Sequence, residues 1–223
     1  MKPRMQQFGL ALSALLALAG CSTASLFDSE TPVPTNYVLA PVPPAPAPTS
    51  SRASTVDVAI ARPDVIPGLD SRRISVLNGR LLDHYRGTEW GGSVSEVVQI
   101  LLVASLDQQQ LFHSVTSEQT RVSAEYLLDV EVRDFQSEYD SPGENPRVRV
   151  TFITRLIRVA DRGLVATIHS TALQPADDNR LGAVAAAFES AAQKAALDLA
   201  GKAAAAVAAD QEQLPAVKPR RVG

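Results

Sequence analysis

Hydrophobic and polar positions alternate along much of the chain after residue 55, and this alternation predicts β-strands. In the clearest case Leu128, Val130 and Val132 alternate with charged residues at positions 129, 131 and 133. A period of two places one set of side chains in a core and the other set in solvent. The same alternation recurs at residues 56–60, 74–76, 148–152 and 164–168, and another short strand is predicted at residues 111–115. The sequence therefore predicts a sheet with one buried face.

Turn residues join several of these strands. Asn78-Gly79 lies between two apolar runs, and this dipeptide is the strongest short signal for a tight hairpin turn. It predicts a hairpin over residues 72–85. Asp161-Arg162-Gly163 predicts a turn between two later strands, and a longer loop is predicted over residues 137–146.

Two segments change from the strand period to the helical one. Ser93 and Glu96 form a capping box that predicts the start of a helix. Its predicted buried face consists of Val94, Val97, Val98, Leu101, Leu102 and Ser105. A second helix is predicted to begin at Asp178 or Asn179 and to end at about Ala209. Its apolar stripe consists of Leu181, Val184, Phe188, Ala192, Ala195 and Leu199.

The order of these elements indicates an α+β domain over residues 56–209. Three strands precede the first helix, four strands follow it, and the second helix ends the domain. Strands joined in this way favour a mostly antiparallel sheet with the two long helices packed on one face. The polar residues 210–223, which include two prolines, are predicted to form a disordered tail.

The first twenty residues have the pattern of an export signal. Two basic residues at positions 2 and 4 precede an apolar stretch from Phe8 to Leu18, and two small residues follow it. The apolar stretch is shorter than the roughly 20 residues that cross a bilayer. We therefore expect residues 1–20 to be a signal peptide that is cleaved between Gly20 and Cys21.

Cys21 is the only cysteine, and it completes the sequence Leu18-Ala19-Gly20-Cys21. This pattern is typical of a bacterial lipobox, in which the thiol forms a thioether to diacylglycerol and the new amino terminus receives an acyl chain such as palmitate. The alternative is a buried thiol that packs as a small apolar side chain. That alternative fits poorly, because a removable segment precedes Cys21 and a polar tract follows it. Ser22 resembles the sorting signal for the outer membrane in enteric bacteria.

Residues 21–55 have the composition of a tether between Cys21 and the domain. Residues 41–48 read PVPPAPAP, which favours an extended polyproline conformation. Tyr37-Val38-Leu39 is apolar, so this part of the segment is either a short first strand or unstructured tether. At about 3.3 Å for each extended residue, residues 22–36 alone would reach about 50 Å from the membrane.

Composition limits the classes of function. Hydrophobic residues make up 45% and charged residues 20% of the chain, which is typical of a globular core. The net charge is −3, and Lys and Arg are scattered along the sequence. We therefore expect no nucleic-acid partner.

Residue types that catalyse reactions or bind metals do not form a recognisable motif in the sequence. His84, His113 and His169 are far apart, and none has metal-ligand spacing with another histidine or a carboxylate. His84 and His169 lie in predicted strands and are interpreted as surface or edge residues, with a functional site as the alternative. Ser93 lacks the second glycine of a serine-nucleophile motif, and helix capping explains it better. No glycine-rich phosphate loop is present.

The remaining candidates also have structural explanations. Asp129 and Glu131 lie on the polar face of a predicted strand and are interpreted as solvated. Asp177-Asp178 suits the positive end of the following helix. Trp90 is interpreted as a core residue, with a ligand contact as the alternative. We therefore expect no enzyme activity, no catalytic residue, no metal and no cofactor.

Several stretches together resemble the ABC-type transport auxiliary lipoproteins, a family that includes the PqiC-type subunits. They are the lipobox, Tyr37-Val38-Leu39, Arg73-Ile74-Ser75-Val76, Leu82 with Tyr85, Trp90 before a helix with Val97, Leu101 and Leu106, Tyr126 to Val132 with Phe135, and the closing alanine-rich helix. The resemblance covers most of the chain after Cys21. The Pro-Ala tract and the nearly pure alanine end of the last helix depart from the family pattern.

The resemblance implies a fold similar to the amino-terminal domain of TolB-like proteins. It also implies a lipoprotein anchored in the outer membrane and facing the periplasm. Its partners would be an ABC ATPase, a permease and a mammalian-cell-entry (MCE) domain protein, which together move lipids between the two membranes and support membrane integrity.

Two other classes of function stay open. The first is a structural or secretion-assembly lipoprotein that forms homo-oligomers at the outer membrane. The second is a periplasmic hydrolase, which would need a nucleophile, a base and an orienting group to meet in one pocket.

Overall fold

The computed structural model describes residues 33–44, 55–120, 123–141 and 143–213. Within these residues the chain forms an α+β domain with nine strands, two α-helices and one turn of 3₁₀ helix at Glu118–Thr120. The elements are β1 (Thr35–Tyr37), β2 (Asp57–Ile60), β3 (Asp64–Val65), β4 (Arg73–Asn78), β5 (Leu81–Trp90), α1 (Val94–Gln108), β6 (Ser114–Ser117), β7 (Tyr126–Tyr139), β8 (Arg147–Arg158), β9 (Gly163–Pro175) and α2 (Leu181–Gln213).

Strand β7 is the centre of the sheet. Strand β8 pairs with it in antiparallel fashion along nearly its whole length of 14 residues. Three short strands share its other edge in sequence order, and all three run parallel to it. Val58 of β2 lies beside Tyr126, β3 follows further along, and Val76 of β4 lies beside Ser137.

The remaining strands extend the sheet on both sides of β7. Strand β9 pairs with β8, and β4 and β5 form the predicted hairpin, whose turn places Gly79 at a φ of 60°. Strand β6 lies parallel to β2, and β1 lies parallel to the end of β5. The sheet is therefore mixed. Its long pairings are antiparallel, as the alternation and turns predict, whereas the short strands join it in parallel.

The core lies on one face of the sheet, where both helices pack. Alternate residues of β7 and β8 are fully buried against the helices, and they belong to one hydrophobic cluster. The strand members of this layer are Leu128, Val130, Val132, Val148, Val150, Phe152 and Leu156, and the helix members include Val98, Leu102, Phe188, Ala192, Ala195 and Leu199. The predicted α+β fold with two helices on one face is confirmed.

Three aromatic side chains form the densest part of this core. Trp90 lies at the end of β5, and its ring centroid is 5.7 Å from that of Phe135 and 5.1 Å from that of Phe188. Phe135 and Phe188 are 5.2 Å apart. The exposed fraction of Trp90 is 0%, so this residue is a core residue. The cluster joins β5, β7 and α2 through edge-to-face contacts.

Helix α1 begins as the capping box predicts. Ser93 accepts a hydrogen bond from the backbone N–H of Glu96, and the Glu96 carboxylate accepts one from the backbone N–H of Ser93 at 3.0 Å. These two bonds satisfy donors that a helix start otherwise leaves free.

Helix α2 differs from its predicted bounds at both ends. It begins at Leu181, after Asp178 and Asn179, and it continues to Gln213 rather than ending at Ala209. The carboxyl end is longer because Asp210 is buried and bonded to the sheet, so a polar residue there does not mark the end of the helix. Residues 210–213, which were predicted to be part of the tail, therefore belong to the helix. The rest of the predicted tail, residues 214–223, lies outside the described residues.

The amino-terminal boundary also differs from the prediction. The domain was expected to begin at residue 56, but β1 and the residues that follow it belong to the sheet and the core. A short first strand is present, but it spans Thr35–Tyr37 and shares only Tyr37 with the predicted residues 37–39. The residues between Pro63 and Pro67 also contribute a strand, since β3 pairs with β7. Short strands of two or three residues have too few alternating positions to be recognised by period.

Replacement of Phe188 by alanine should lower the free energy of unfolding by about 3–5 kcal/mol, because it removes the side chain that joins Trp90 to Phe135. Urea denaturation followed by the fluorescence of Trp90, the only tryptophan, measures the change. Leu197→Ala on the same helix is the matched control. Leu197 is 42% exposed, and its loss should cost less than about 1 kcal/mol. Equal losses in the two variants would contradict the described packing.

Candidate functional site

The predicted lipidation site lies outside the described residues. Cys21, the signal peptide at residues 1–20 and the cleavage point after Gly20 all fall in the first 32 residues. Acylation of Cys21 therefore stays a prediction from the sequence. What the structure adds is the way in which the chain after this segment joins the domain.

A strap formed by residues 34–44 crosses the domain from the sheet to both helices. At its start, β1 pairs with Thr88 to Trp90 of β5, and the carbonyl of Tyr37 accepts a hydrogen bond of 2.9 Å from the Gly91 N–H. Further along, Val42 is 5% exposed and belongs to the hydrophobic core. The strap is therefore part of the folded domain at both of these points.

Side chains of α2 bind the strap backbone at Ala40 and Pro41. The Ala40 N–H donates to Glu189 Oε2 at 2.8 Å. Gln193 Nε2 donates to the carbonyl oxygens of Ala40 and Pro41, at 3.0 and 3.2 Å. Two polar side chains one helical turn apart thus bond the main chain of the strap.

Side chains of α1 bind the next part of the strap. The Val42 N–H donates to Ser105 Oγ at 3.0 Å, and Gln109 Nε2 at the end of the helix donates to the Pro43 carbonyl at 3.1 Å. Ser105 lies in the apolar stripe of α1 and is 1% exposed. A serine in an otherwise apolar stripe is a sequence signal for this contact, although it does not reveal the partner.

The three histidines lie at separate places in the fold. His84 is on β5, where its Nδ1 is 3.4 Å from Ser75 Oγ, and desolvation lowers the pKa of its ring. His169 is exposed on β9, and its backbone carbonyl accepts a hydrogen bond from Lys202. His113 follows α1 and contacts Asp57. Within the described residues, no three histidine, cysteine or carboxylate side chains come together as a metal site would require.

His113, Asp57 and Ser114 meet at the start of β2, which the sequence did not predict. His113 Nδ1 is 2.8 Å from Asp57 Oδ1, and Ser114 Oγ donates to the same oxygen at 2.6 Å. The three residue types are those of a serine hydrolase, but the carboxylate stands in the middle. In a hydrolase the imidazole stands between the serine and the acid, and it takes the serine proton. Here the serine hydroxyl bonds the carboxylate, so the arrangement supplies no activated nucleophile.

The other sequence candidates have structural roles. Ser93 caps α1, and Asp129 forms an ion pair of 2.9 Å with Arg155 on the outer face of the sheet. Glu131 pairs with Arg133 on the same face, and Asp178 pairs with Arg180 just before α2. These contacts agree with the interpretation of the carboxylates as solvated surface groups.

The last turn of α2 is held by an ion pair that the sequence analysis missed. Asp210 is 8% exposed, and its carboxylate binds both Nε and Nη2 of Arg158 on β8. Tyr126 donates its hydroxyl to the same carboxylate at 2.7 Å. Burial and this contact raise the pKa of Tyr126 to about 12, and Arg158 holds the pKa of Asp210 below its usual range. The side chain of Asp161 binds a third nitrogen of Arg158 at 2.7 Å.

No helix within the described residues is long and apolar enough to cross a bilayer.

Comparison with known proteins identifies the class to which this domain belongs. Residues 37–200 match the family described as the ABC-type transport auxiliary lipoprotein component. The match covers well over half of the chain, and the chain belongs to this family. The resemblance seen in the sequence is confirmed, and the match begins inside the strap. Members of this class are lipoproteins that act as auxiliary components of ABC-type transport.

Solved structures support the same fold. The chain is similar to a crystal structure of a DUF330-family protein from Xanthomonas campestris, with 24% identity, a TM-score of 0.72 and coverage of 80% of this chain and 99% of that one. A crystal structure of a second, uncharacterized protein has 16% identity and a TM-score of 0.58, and the match covers 77% of this chain and 97% of that one. No protein of curated function matches the sequence.

The contact between His113 and Asp57 should make stability depend on pH. Their hydrogen bond raises the pKa of His113, and the bonds from Ser114 and His113 lower the pKa of Asp57. The histidine contribution is complete below its unfolded pKa of about 6.5 and is lost as the pH rises through the folded value. The carboxylate contribution is present above its unfolded pKa of about 3.9 and is lost as the pH falls.

The stability of the wild type relative to His113→Ala should therefore be greatest between about pH 4 and pH 6.5, and should decline above that range. Thermal unfolding of both proteins from pH 5 to pH 8 measures the difference, from which the contribution of His84 cancels. His169→Ala is the control for loss of an exposed histidine. A difference that does not change with pH would show that the pair is not formed in solution.

Asp210→Asn should destabilise the domain by about 2 kcal/mol, because Arg158 loses a buried counter-ion. Asp198→Asn is the matched control, since Asp198 pairs with Lys202 on the exposed side of the same helix. An exposed pair of this kind contributes about 0.5 kcal/mol or less. Urea denaturation measures both changes, and similar losses in the two variants would argue against the buried pair.

Proposed function

We propose that this chain is a non-enzymatic lipoprotein subunit of an intermembrane lipid-transport system. It is held in the outer membrane by Cys21, carrying an N-acyl chain and an S-diacylglycerol group, and its domain faces the periplasm. There it docks the inner-membrane machinery, an ABC ATPase with its permease and an MCE-domain protein, and it supports envelope integrity.

The family match over residues 37–200 is the observation that carries this proposal. An auxiliary lipoprotein needs a means of attachment and a folded domain, and the chain has a candidate for each. The sequence Leu18-Ala19-Gly20-Cys21 is the candidate for attachment, and Ser22 after it favours the outer membrane. The MCE partner and the lipid cargo come from the resemblance to PqiC-type subunits.

The chemistry of the described residues supports a role without catalysis. Their ionisable groups are mostly engaged in ion pairs on the sheet surface or at element ends. In the group of His113, Asp57 and Ser114 the carboxylate is in the central position. In a serine hydrolase that position belongs to the imidazole, which takes the proton of the serine. A domain of this kind is better suited to binding another protein than to transforming a substrate.

Cys21→Ala should remove acylation and outer-membrane fractionation, because no other cysteine is present to carry the diacylglycerol group. Labelling of cells with radioactive palmitate and separation of the two membranes measure both effects. Ser22→Ala, at the neighbouring position, is the matched control and should keep both properties. A Cys21→Ala protein that is still acylated, bound to the outer membrane and active would refute the proposal.

Chemical cross-linking followed by purification of the lipidated wild type tests the partner. Recovery of an MCE-domain protein, with or without the ATPase and permease, supports docking in a transport system. Recovery of copies of this chain alone would instead favour the structural, homo-oligomeric alternative.

A further inference from the structure

Residues 40–43 of the strap have nearly every backbone polar group bonded by a helix side chain. Ala40 and Val42 use their N–H groups, and Ala40, Pro41 and Pro43 use their carbonyls. Positions 41 and 43 are prolines, which have no backbone N–H, so these positions leave no unbonded donor. From this arrangement we infer that Ser105, Gln109, Glu189 and Gln193 form a clasp that, together with β1, fixes the point at which the lipid tether leaves the domain.

The clasp holds the strap through its main chain, and the core holds it through the buried Val42 and the partly buried Tyr37 and Leu39. The four clasp residues come from both helices, so the strap also joins α1 to α2. Val42 lies between the two pairs of polar contacts and is buried in the core. An extended proline-rich segment loses little conformational entropy when it is bound, which favours this use of the sequence. Strand β1 secures the other end of the strap on β5.

The clasp and β1 together set the length of the free tether. With the strap in place, 12 residues lie between Cys21 and Pro34, and the 13 steps of the chain span at most about 45 Å. With both β1 and the clasp released, the free segment would extend from Cys21 to Thr55, and its 34 steps would span at most about 120 Å. This consequence rests on the proposed anchor at Cys21, whereas the clasp itself rests on the contacts of the folded domain.

The strap also sets the direction in which the tether leaves. Strand β1 is parallel to β5, so the chain passes from Trp90 towards Thr88 when it is followed back from Tyr37 to Thr35. That direction leads towards the turn of the β4–β5 hairpin at Gly79. At Thr35 the backbone of the strap therefore runs along the edge of β5, towards this hairpin turn.

The first experiment tests the clasp in the mature, lipidated chain in detergent. Glu189→Ala combined with Gln193→Ala removes the acceptor for the Ala40 N–H and the donor to two carbonyls. Hydrogen exchange in the peptide that covers residues 37–44 should become about tenfold faster. Glu212→Ala combined with Gln213→Ala is the control, since these exposed residues are of the same types and lie on the same helix. Exchange at the unprotected rate in the wild type, or an equal change in both variants, would overturn the proposal.

The second experiment measures the reach of the tether on a supported bilayer. Tyr37→Asp and Val42→Asp are added to the Glu189→Ala and Gln193→Ala changes, so that the core contacts of both β1 and the rest of the strap are removed. Trp90 fluorescence confirms that the domain is folded. The greatest reach of the tether, measured as the height of a fluorescent label above the bilayer less the offset of the label on the domain, should increase by about 2.6-fold. An unchanged reach in the folded variant would show that the strap does not limit the tether.

The two experiments separate this inference from the proposed function. If Cys21 carries no lipid, the protein is not retained on the bilayer and the proposed function fails, while hydrogen exchange still decides whether the clasp exists. If the protein is retained but the strap exchanges freely, the anchor stands and the clasp is rejected.

Discussion

The pairing of β7 on both of its edges is the constraint on which the rest of the structure depends. One edge bonds β8 along nearly the full strand, and the other is divided among β2, β3 and β4. A strand that is bonded on both edges has its backbone N–H and C=O groups paired. Burial of its alternating side chains therefore leaves no unpaired backbone polar group in the core. Because β7 fixes the position of its four partners, it also fixes the surface on which α1 and α2 pack, and with them the residues that hold the strap.

Much of this fold follows from local patterns in the sequence. The alternation at Leu128, Val130 and Val132 reveals the central strand, Asn78-Gly79 reveals the hairpin, and Ser93 with Glu96 reveals the start of α1. The parallel pairing of β2 and β4 with β7 could not be predicted, since alternation identifies the buried face of a strand but not its neighbour. The end of α2 was missed for a related reason. Asp210 is polar, and the local sequence therefore predicted that the helix ends before it. In the structure Asp210 is buried within the helix, because its carboxylate forms an ion pair with Arg158, which is distant in the sequence.

In the candidate site, too, roles set by neighbouring residues in the sequence could be predicted, whereas contacts between residues distant in the sequence could not. Single residues were interpreted correctly where local chemistry decides their role, as for the cap at Ser93 and the ion-paired Asp129. The meeting of His113 with Asp57 depends on the parallel pairing of β2 with β6, which brings residues 57 and 114 side by side. Nothing near either residue in the sequence indicates this contact. The order of the hydrogen bonds, and not the presence of the three residue types, then decides what the group can do.

The strap illustrates how a segment of low complexity becomes part of a defined structure. Its composition favours an extended chain, and composition alone does not distinguish a free tether from a bound one. The difference lies in the helices, where Ser105 interrupts an apolar stripe, and Glu189 and Gln193 lie one turn apart beside the passing backbone. These side chains bond the main chain, the prolines keep the segment extended, and Val42, Leu39 and Tyr37 pack against the core. The lipid tether that we propose needs a defined point of attachment to the domain, and these contacts together with β1 provide one.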